Sequence, residues 1–196
     1  CTSGFRETFG GIYKKYNVEP DLAMFGKTLG NGYAITAVVG KKEIMEAAQK
    51  TFISSTFWTE RIGPTAALKT LEVMERIKSW EIITRIGNKV RKNWKKLAAE
   101  NNLKINVYGL PAISSYSFSN NHLKYKTFLT QEMMKKGFLA STNFYASIAH
   151  TDKLIDLYFE ALNDVYKSIS QFEKKEKNID DFLDGPVCHD GFHRLN

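Results

Sequence analysis

The sequence predicts an α/β fold, and three observations lead to that class. Two short apolar runs, at residues 22–25 and 35–39, are separated by a glycine-rich connection and have the composition of strands. The second run is followed at residues 41–50 by apolar residues at helical spacing. Further along the chain, long helical patterns alternate with a few short strands. Strand, loop, strand and helix in this order are typical of an α/β sheet.

The first part of the chain is expected to contain few long elements. Residues 1–20 should form loops and short helical turns, and residues 51–63 should form a polar, irregular connection. Pro64 suits the first turn of a helix, because the N–H that proline lacks has no partner there. Apolar residues then recur at helical spacing as far as Ile77, so we expect a long helix from Pro64 to about that position.

The second part is predicted to place helices around a small sheet. The first helix should cover residues 81–100, with an apolar face made by Ile83, Ile86, Val90, Trp94 and Leu97. We then expect strands at 104–107 and 112–118, a helix at 125–136 that Gly137 ends, and a short strand at 138–140. Thr151 is a suitable N-cap for a last long helix. The apolar face of that helix is predicted to be Leu154, Tyr158, Ala161, Val165 and Ile169.

Composition excludes several classes of protein. The chain has 196 residues, of which 43% are hydrophobic, so it can bury a core and is not disordered. No apolar run approaches the roughly 18 residues that a membrane-spanning helix needs. The two cysteines, Cys1 and Cys188, lie far apart in sequence, which fits a reducing compartment better than a disulfide framework. We therefore expect a cytoplasmic protein that does not bind a membrane.

The net charge of +7 favours anionic ligands without requiring nucleic acid. The predicted helix at 81–100 carries a basic face: Arg85, Lys89, Arg91, Lys92, Lys95 and Lys96. No aromatic residues that could stack on bases are interleaved with these side chains, so a solvated surface explains them better than nucleic-acid binding.

A single lysine, Lys27, lies among three glycines directly after the first predicted strand, in Phe25-Gly26-Lys27-Thr28-Leu29-Gly30-Asn31-Gly32-Tyr33. Glycines let a large ligand approach the backbone closely. We expect this strand, residues 22–25, to be buried, and poor solvation at its end favours the neutral form of the amine. A neutral lysine amine forms Schiff bases with carbonyl compounds, including pyridoxal phosphate (PLP). The alternative interpretation of this segment alone is a surface lysine in a glycine turn.

The flanking sequence resembles the region around the PLP-binding lysine of class III aminotransferases, and within them most closely the glutamate-1-semialdehyde 2,1-aminomutase branch. The segments that carry the resemblance are Thr2-Ser3-Gly4-Phe5-Arg6, Phe9-Gly10-Gly11, Tyr16 to Leu22, Phe25-Gly26-Lys27, Gly30-Asn31-Gly32-Tyr33, Ser54-Ser55-Thr56-Phe57, Gly63 to Leu68, Ala149-His150-Thr151 and Gly185 to His189. Together they span nearly the whole chain.

The resemblance implies a PLP enzyme of fold type I. Residues 1–78 would be the C-terminal part of its large domain, and residues 79–196 its small α+β domain. Lys27 would be the lysine that bonds to the cofactor and moves the substrate proton. Thr56 would bind the cofactor phosphate of the neighbouring subunit in a homodimer. The aspartate that pairs with the pyridine nitrogen would precede Cys1, so we expect a C-terminal portion of a larger enzyme that is inactive by itself.

The substrate side departs from the family pattern, which leaves three functions open. The stretch at residues 141–147 lacks the arginine of many class III aminotransferases, and Asn143-Phe144-Tyr145 lacks the glutamate of the aminomutase branch. The resemblance therefore implies an aminotransferase acting on an amino-acid donor and a keto or aldehyde acceptor, or else a 2,1-aminomutase. A non-catalytic domain that binds an anionic partner is the third possibility.

A histidine and a Cys/His group complete the candidate residues. His150 is expected to pack and form hydrogen bonds rather than to take part in catalysis. Cys188, His189 and His193 could ligate zinc, but no fourth ligand lies at a suitable spacing, so we expect no metal site.

Overall fold

The computed structural model describes residues 1–191, and these form two compact units that divide between Thr84 and Arg85. The helices are α1 (Lys42–Met45), α2 (Ile62–Ile77), α3 (Ser79–Glu100), α4 (His122–Lys135) and α5 (Asp152–Glu173). The strands are β1 (Leu22–Phe25), β2 (Ala37–Gly40), β3 (Ile105–Leu110), β4 (Ile113–Phe118) and β5 (Asn143–Tyr145). Four 3₁₀ helices cover Ile12–Tyr16, Lys27–Leu29, Glu46–Lys50 and Ile179–Phe182.

The first unit is organised around a two-stranded antiparallel sheet. Strands β1 and β2 pair with Leu22 opposite Gly40 and Phe25 opposite Ala37. The strand predicted at 22–25 is confirmed, and the second strand starts two residues later than predicted. Helix α2 also confirms its prediction, with Pro64 in its first turn. A small apolar cluster, made by Phe5, Phe25, Leu29 and Ala67, forms the buried core of this unit.

The expectation that β1 is buried is wrong for the residues described. Leu22 and Met24 are exposed, and only Phe25 of this strand is buried. Leu22 and Met24 take no part in the apolar cluster of this unit, whereas Phe25 belongs to it.

The second unit contains the three-stranded antiparallel sheet β3-β4-β5. Strand β4 is central and alternates buried and half-buried residues, because one of its faces packs against helices. The side chains of Trp94, Tyr116, Tyr125 and Tyr166 are fully buried around this sheet. Gly87 of α3 allows the helix to approach the turn before β4 closely, since a Cβ there would lie 1.9 Å from the carbonyl oxygen of Pro111.

The apolar face predicted for residues 81–100 is confirmed, since all five of its residues are buried. The last helix begins as predicted: the Thr151 hydroxyl accepts a hydrogen bond from the backbone N–H of Leu154. Its buried stripe is shifted from the predicted one, because Leu154 is exposed. The buried residues of α5 are Ile155, Leu162, Val165, Tyr166, Ile169, Ser170 and Phe172.

The strand predicted at 138–140 is wrong. The backbone N–H of Phe138 donates to Met133 O and that of Ala140 donates to Phe138 O, both at 2.9 Å. These local hydrogen bonds follow the end of α4 at Gly137, where φ is +83°. The strand that completes the sheet is β5, three residues further along. Within the described residues, no helix is both long and apolar enough to cross a membrane.

Candidate functional site

Lys27 lies directly after β1 and begins a short 3₁₀ helix. Its φ is +46°, in the left-handed region that a lysine adopts only at a cost of roughly 1–2 kcal/mol. The side chain is exposed, and its Nζ donates a 2.8 Å hydrogen bond to the hydroxyl of Thr2. Among residues 1–191, no carboxylate lies within ion-pair distance of this amine. Lys27 therefore presents a primary amine whose protein partner is a neutral hydroxyl.

The residues on either side of Lys27 fix its backbone. Phe25 is buried against the ring of Phe5 at a centroid distance of 5.2 Å, and Leu29 belongs to the same apolar cluster. The Thr28 hydroxyl donates to Gly4 O at 2.7 Å. Position 30 requires glycine because the backbone of Tyr33 lies close to it: a Cβ at this position would be 2.1 Å from the carbonyl oxygen of Tyr33. The amine is thus carried on a segment that is anchored on both sides.

Thr2, which sequence patterns did not identify as a partner of Lys27, is itself held in place. Its carbonyl oxygen accepts a 2.7 Å hydrogen bond from the Nε of Arg6, a buried residue. The contact between Thr2 and Lys27 joins positions 25 residues apart, so no helical or strand periodicity could have revealed it. The only sequence signal was that both residues lie in segments resembling one family.

Thr56 begins an exposed turn at residues 56–59. The preceding serine, Ser55, accepts a hydrogen bond from the backbone N–H of Phe57 at 3.2 Å. Within residues 1–191 the Thr56 hydroxyl makes no hydrogen bond, and none joins it to Lys27. The neighbouring aromatic side chains protrude into solvent, with Phe57 75% and Trp58 71% exposed. The structure therefore does not bring the two predicted cofactor-binding residues together within the described chain.

A cavity of about 540 Å³ lies next to the loop that follows Lys27. Its lining includes Asn31, Tyr33, Arg61, Thr65 and Lys69, but neither Lys27 nor Thr56. Glu60 accepts hydrogen bonds from the backbone N–H groups of Ile62 and Gly63 and so caps α2 at the rim of this cavity.

The stretch that the resemblance places on the substrate side forms β5 and the loop after it. The Oδ1 of Asn143 accepts a 2.8 Å hydrogen bond from the hydroxyl of Ser115 on the neighbouring strand. His150 is confirmed as a packed residue: its Nδ1 accepts from the backbone N–H of Ser147, and its ring lies 4.9 Å from that of Phe144. Partial burial lowers the pKa of His150.

The potential zinc ligands are not assembled in the described part of the chain. Cys188 donates from its backbone N–H to the Thr127 hydroxyl, and its thiol lies against the carbonyl oxygen of Leu123. Residues 1–191 contain no group of three or more His, Cys, Asp or Glu side chains placed to hold a metal. His193 lies outside the described residues.

Comparison with solved structures identifies the fold. The fold matches the FumI protein of Sphingopyxis sp. MTA144, solved in its PLP internal aldimine form, with a TM-score of 0.80 at 21% identity over 92% of this chain. It also matches an S-selective transaminase from Arthrobacter sp. with alanine bound, with a TM-score of 0.74 at 21% identity over 87% of this chain. The chain covers 44% of each of these two proteins. The fold is therefore that of the PLP-dependent transaminases.

Residues 7–165 match the aminotransferase class-III family, and the chain belongs to that family. It is 35% identical to 3-aminobutyryl-CoA aminotransferase of Cloacimonas acidaminovorans over 83% of this chain and 41% of that protein. It is 31% identical to glutamate-1-semialdehyde 2,1-aminomutase of Sulfolobus acidocaldarius over 85% of this chain and 44% of that protein. The chain thus spans less than half the length of these relatives. Class III aminotransferases use pyridoxal phosphate.

Proposed function

We propose that the protein carrying this chain is a cytoplasmic, homodimeric aminotransferase that moves an amino group from an amino-acid donor to a keto or aldehyde acceptor. The observation that carries the proposal is the amine of Lys27. It is exposed on an anchored segment, and within residues 1–191 it is hydrogen-bonded to a hydroxyl rather than paired with a carboxylate. Family membership supports the same reaction class.

The amine of Lys27 and the hydroxyl of Thr56 are groups that can bind pyridoxal phosphate. A primary amine without a carboxylate partner can bond to the aldehyde of the cofactor, and an exposed threonine hydroxyl can donate to its phosphate. Lys27 would hold the cofactor in this way, and Thr56 would bind the phosphate from the neighbouring subunit. When bound, the cofactor supplies an electron sink that stabilises negative charge at the substrate α-carbon.

In the proposed mechanism, Lys27 moves the proton. With the cofactor bound, the Nζ of Lys27 would take the proton from the substrate α-carbon and deliver it to a neighbouring atom. The backbone and Thr2 hold the amine in place. The proton transfer would therefore be intramolecular and would not depend on the encounter of two separate molecules. Thr2 would orient the Nζ through the 2.8 Å hydrogen bond between them.

Reduction with borohydride tests the assignment of Lys27. In the full-length protein loaded with pyridoxal phosphate, borohydride should fix the cofactor covalently on the peptide that contains Lys27. The Lys27→Ala variant should lose this label, whereas Lys41→Ala should keep it. Lys41 is a suitable control because it lies in the same unit but pairs with Asp21 at 3.0 Å. A label on any other lysine would show that Lys27 is not the cofactor lysine, and absence of a label would favour the anion-binding domain.

A second candidate function is the intramolecular 2,1-aminomutase reaction, because a relative with that name is 31% identical. A mutase must hold both ends of one substrate until the second half-reaction, whereas a transaminase releases a keto acid. Asn143-Phe144-Tyr145 supplies no charged side chain for this purpose, and aromatic walls suit a larger, less charged acceptor. We expect L-glutamate in a single turnover to release 2-oxoglutarate into solution. Isomerisation of glutamate-1-semialdehyde to 5-aminolevulinate, without any reaction of glutamate, would establish the mutase instead.

A further inference from the structure

A cavity of about 330 Å³ in the second unit takes no part in the reaction proposed above. It lies between the first turn of α4, the end of α5 and the 3₁₀ helix at Ile179–Phe182. The volume is at the lower end of the roughly 300–1,000 Å³ that is usual for sites binding small molecules. The described residues that line it include three lysines, Lys124, Lys175 and Lys177, and no aspartate or glutamate.

The three lysines differ in whether a carboxylate neutralises them. The Nζ of Lys124 lies 2.6 Å from a carboxylate oxygen of Asp180, which is outside the lining. Within residues 1–191, neither Lys175 nor Lys177 is paired with a carboxylate. The cavity therefore has two exposed ammonium groups whose charge the described chain does not compensate by an ion pair.

Two other carboxylates belong to the same segment, those of Glu173 and Glu176, and neither lines the cavity. The carboxylate of Glu173 accepts a 3.3 Å hydrogen bond from the side-chain amide of Asn120 and also interacts with Tyr125. The acidic groups of this region thus lie around the cavity, whereas the lysines form its walls.

The backbone at Lys175 has a conformation that normally selects glycine. The N–H of Lys175 donates to Phe172 O and the N–H of Glu176 donates to Gln171 O, both at 3.0 Å. These two hydrogen bonds form a Schellman motif at the end of α5, and Lys175 occupies the left-handed position with φ +58°. A lysine at this position costs stability that glycine would not cost. The side chain of Lys175 therefore carries a penalty that its backbone position alone does not explain.

Lys177 and Asn178 are held by local contacts. The ammonium of Lys177 lies 5.6 Å from the centre of the Phe182 ring, which is within cation–π distance. The Oδ1 of Asn178 accepts a 3.2 Å hydrogen bond from the backbone N–H of Asp180, which leaves the two N–H groups of the amide as donors. The lining thus combines positive charge with uncharged donors.

A phosphate group matches this combination best. A phosphomonoester carries a charge of about −1.5 to −2 at neutral pH and has three strong acceptor oxygens, so one group can accept from several donors. Lysine binds phosphate as a point charge and needs no planar, two-point geometry. A carboxylate carries half the charge and has one acceptor oxygen fewer.

We propose that this cavity binds the phosphate group of a small phosphomonoester, with Lys175 and Lys177 neutralising its charge and Asn178 donating a hydrogen bond. The proposal does not depend on the proposed function, because neither Lys27 nor Thr56 lines the cavity. It concerns binding alone and includes no chemical step.

Calorimetric titration of the full-length holoenzyme tests the proposal, since bound pyridoxal phosphate then fills the phosphate site of the cofactor. The probes are glycerol 3-phosphate, inorganic phosphate and glycerate. We expect glycerol 3-phosphate to bind at least about fivefold more tightly than glycerate, its carboxylate analogue. It should also bind more tightly than inorganic phosphate, because its carbon body fills more of the cavity. Tighter binding of inorganic phosphate would overturn the ester, equal binding of glycerate would overturn the phosphate, and no binding at millimolar concentration would overturn the site.

Two variants and a matched control locate the binding. Lys175→Gly and Lys177→Gln should each weaken binding of glycerol 3-phosphate at least about fivefold, because each removes a charged donor. Lys174→Gln makes the same charge change at an exposed neighbour that does not line the cavity. At a salt concentration of about 0.1 M, where charges more than about 10 Å apart are screened, it should change binding less than about twofold. Unchanged binding in both cavity variants, or an equal loss in Lys174→Gln, would show that the phosphate does not bind here.

Thermal denaturation and lysine acetylation complete the test. Lys175→Gly should be at least as stable as wild type, because glycine adopts the left-handed turn freely, so its loss of binding would not reflect unfolding. Glycerol 3-phosphate should reduce acetylation of Lys175 and Lys177, measured by mass spectrometry, and leave that of Lys174 unchanged. Equal acetylation of all three lysines with and without the ligand would contradict the site even if the calorimeter records binding.

Discussion

At the scale of single residues, the position of the Lys27 amine depends on one hydrogen bond, to a hydroxyl 25 residues away. We therefore expect Thr2→Val, which keeps the size of the side chain but removes the hydroxyl, to lower kcat about tenfold with little change in KM, because the amine loses its alignment. Steady-state kinetics of the full-length enzyme measure this split. Thr2→Ser should restore kcat, and failure of that rescue would assign Thr2 a purely structural role.

Gly87 allows a second test at this scale. Alanine normally stabilises a helix relative to glycine by up to about 1 kcal/mol. In α3, however, a Cβ at residue 87 would lie 1.9 Å from Pro111 O, which is backbone and cannot rotate away. We expect Gly87→Ala to lower the free energy of unfolding by at least about 2 kcal/mol. Asn88→Ala, on the exposed side of the same turn, should change it by less than about 0.5 kcal/mol. Denaturant unfolding of the two variants measures the difference, and a stabilised Gly87→Ala would contradict the close approach.

At the scale of elements, the basic face of α3 is partly an interface within the second unit rather than a free surface. The amine of Lys89 lies 3.0 Å from a carboxylate oxygen of Asp152 and 2.9 Å from one of Asp156, both on α5. Arg85 also lies 3.7 Å from Asp152. The hydrogen bond that Lys89 donates to Asp152 lowers the pKa of Asp152, and the hydrogen bonds that Lys89 donates to Asp156 and Asp152 raise the pKa of Lys89.

These shifts predict how the Lys89→Met variant should behave with pH. The contribution of Asp152 to stability is complete above the pKa of about 3.9 of an unfolded aspartate and is lost as pH falls through the lower folded value. The contribution of Lys89 to stability is complete below the pKa of about 10.4 of an unfolded lysine, and it is lost as pH rises through the higher pKa of the folded state. The difference in stability between wild type and Lys89→Met should therefore be largest near pH 7 and shrink at both extremes.

Urea unfolding of the full-length protein at several pH values measures this difference. Lys92→Met is the control, because Lys92 is exposed on the same helix and has no ion pair within residues 1–191. A difference for Lys89→Met that is independent of pH would show that the ion pairs between α3 and α5 do not contribute.

The elements also show which features of the fold the sequence could predict. The buried face of α3 and the Thr151 cap depend on local spacing and local hydrogen bonds, and both predictions were correct. The strand at 138–140 was predicted from composition, but Phe138 and Ala140 use their N–H groups in local bonds and Leu139 is 94% exposed. Strand β5 has only three residues and is defined by its pairing with β4, which local spacing cannot reveal.

At the scale of the whole molecule, the sequence could predict which residues belong to the candidate site but not which of them contact each other. The glycines and Lys27 form a local motif, and the structure shows Lys27 directly after a strand, as expected. Its hydrogen bond to Thr2 depends on a contact between positions 25 residues apart. The prediction that Thr56 binds the cofactor phosphate remains untested, because it requires a second subunit.

The segment around Thr56 exposes several large apolar side chains. Phe52 is 96% exposed, and Ile53, Phe57, Trp58 and Ile62 are also exposed. Large apolar side chains grouped in solvent are unusual, and further protein normally covers such a surface. We propose that a neighbouring subunit of a homodimer covers this one, so that Thr56 acts across the interface.

Mixing an inactive variant with an impaired one tests that expectation directly. Full-length Lys27→Ala and Thr56→Ala subunits, dissociated together and reassembled, should form dimers at random, and half of them should contain one subunit of each kind. If Thr56 acts on the neighbouring subunit, each mixed dimer has one site with both native residues and one site with neither. About a quarter of the wild-type activity should then appear, although Lys27→Ala alone is inactive and Thr56→Ala alone is impaired. Native mass spectrometry of subunits carrying tags of different mass measures the fraction of mixed dimers. If half of the dimers are mixed and the activity stays at the average of the two parents, Thr56 acts within its own subunit or has no role in the site.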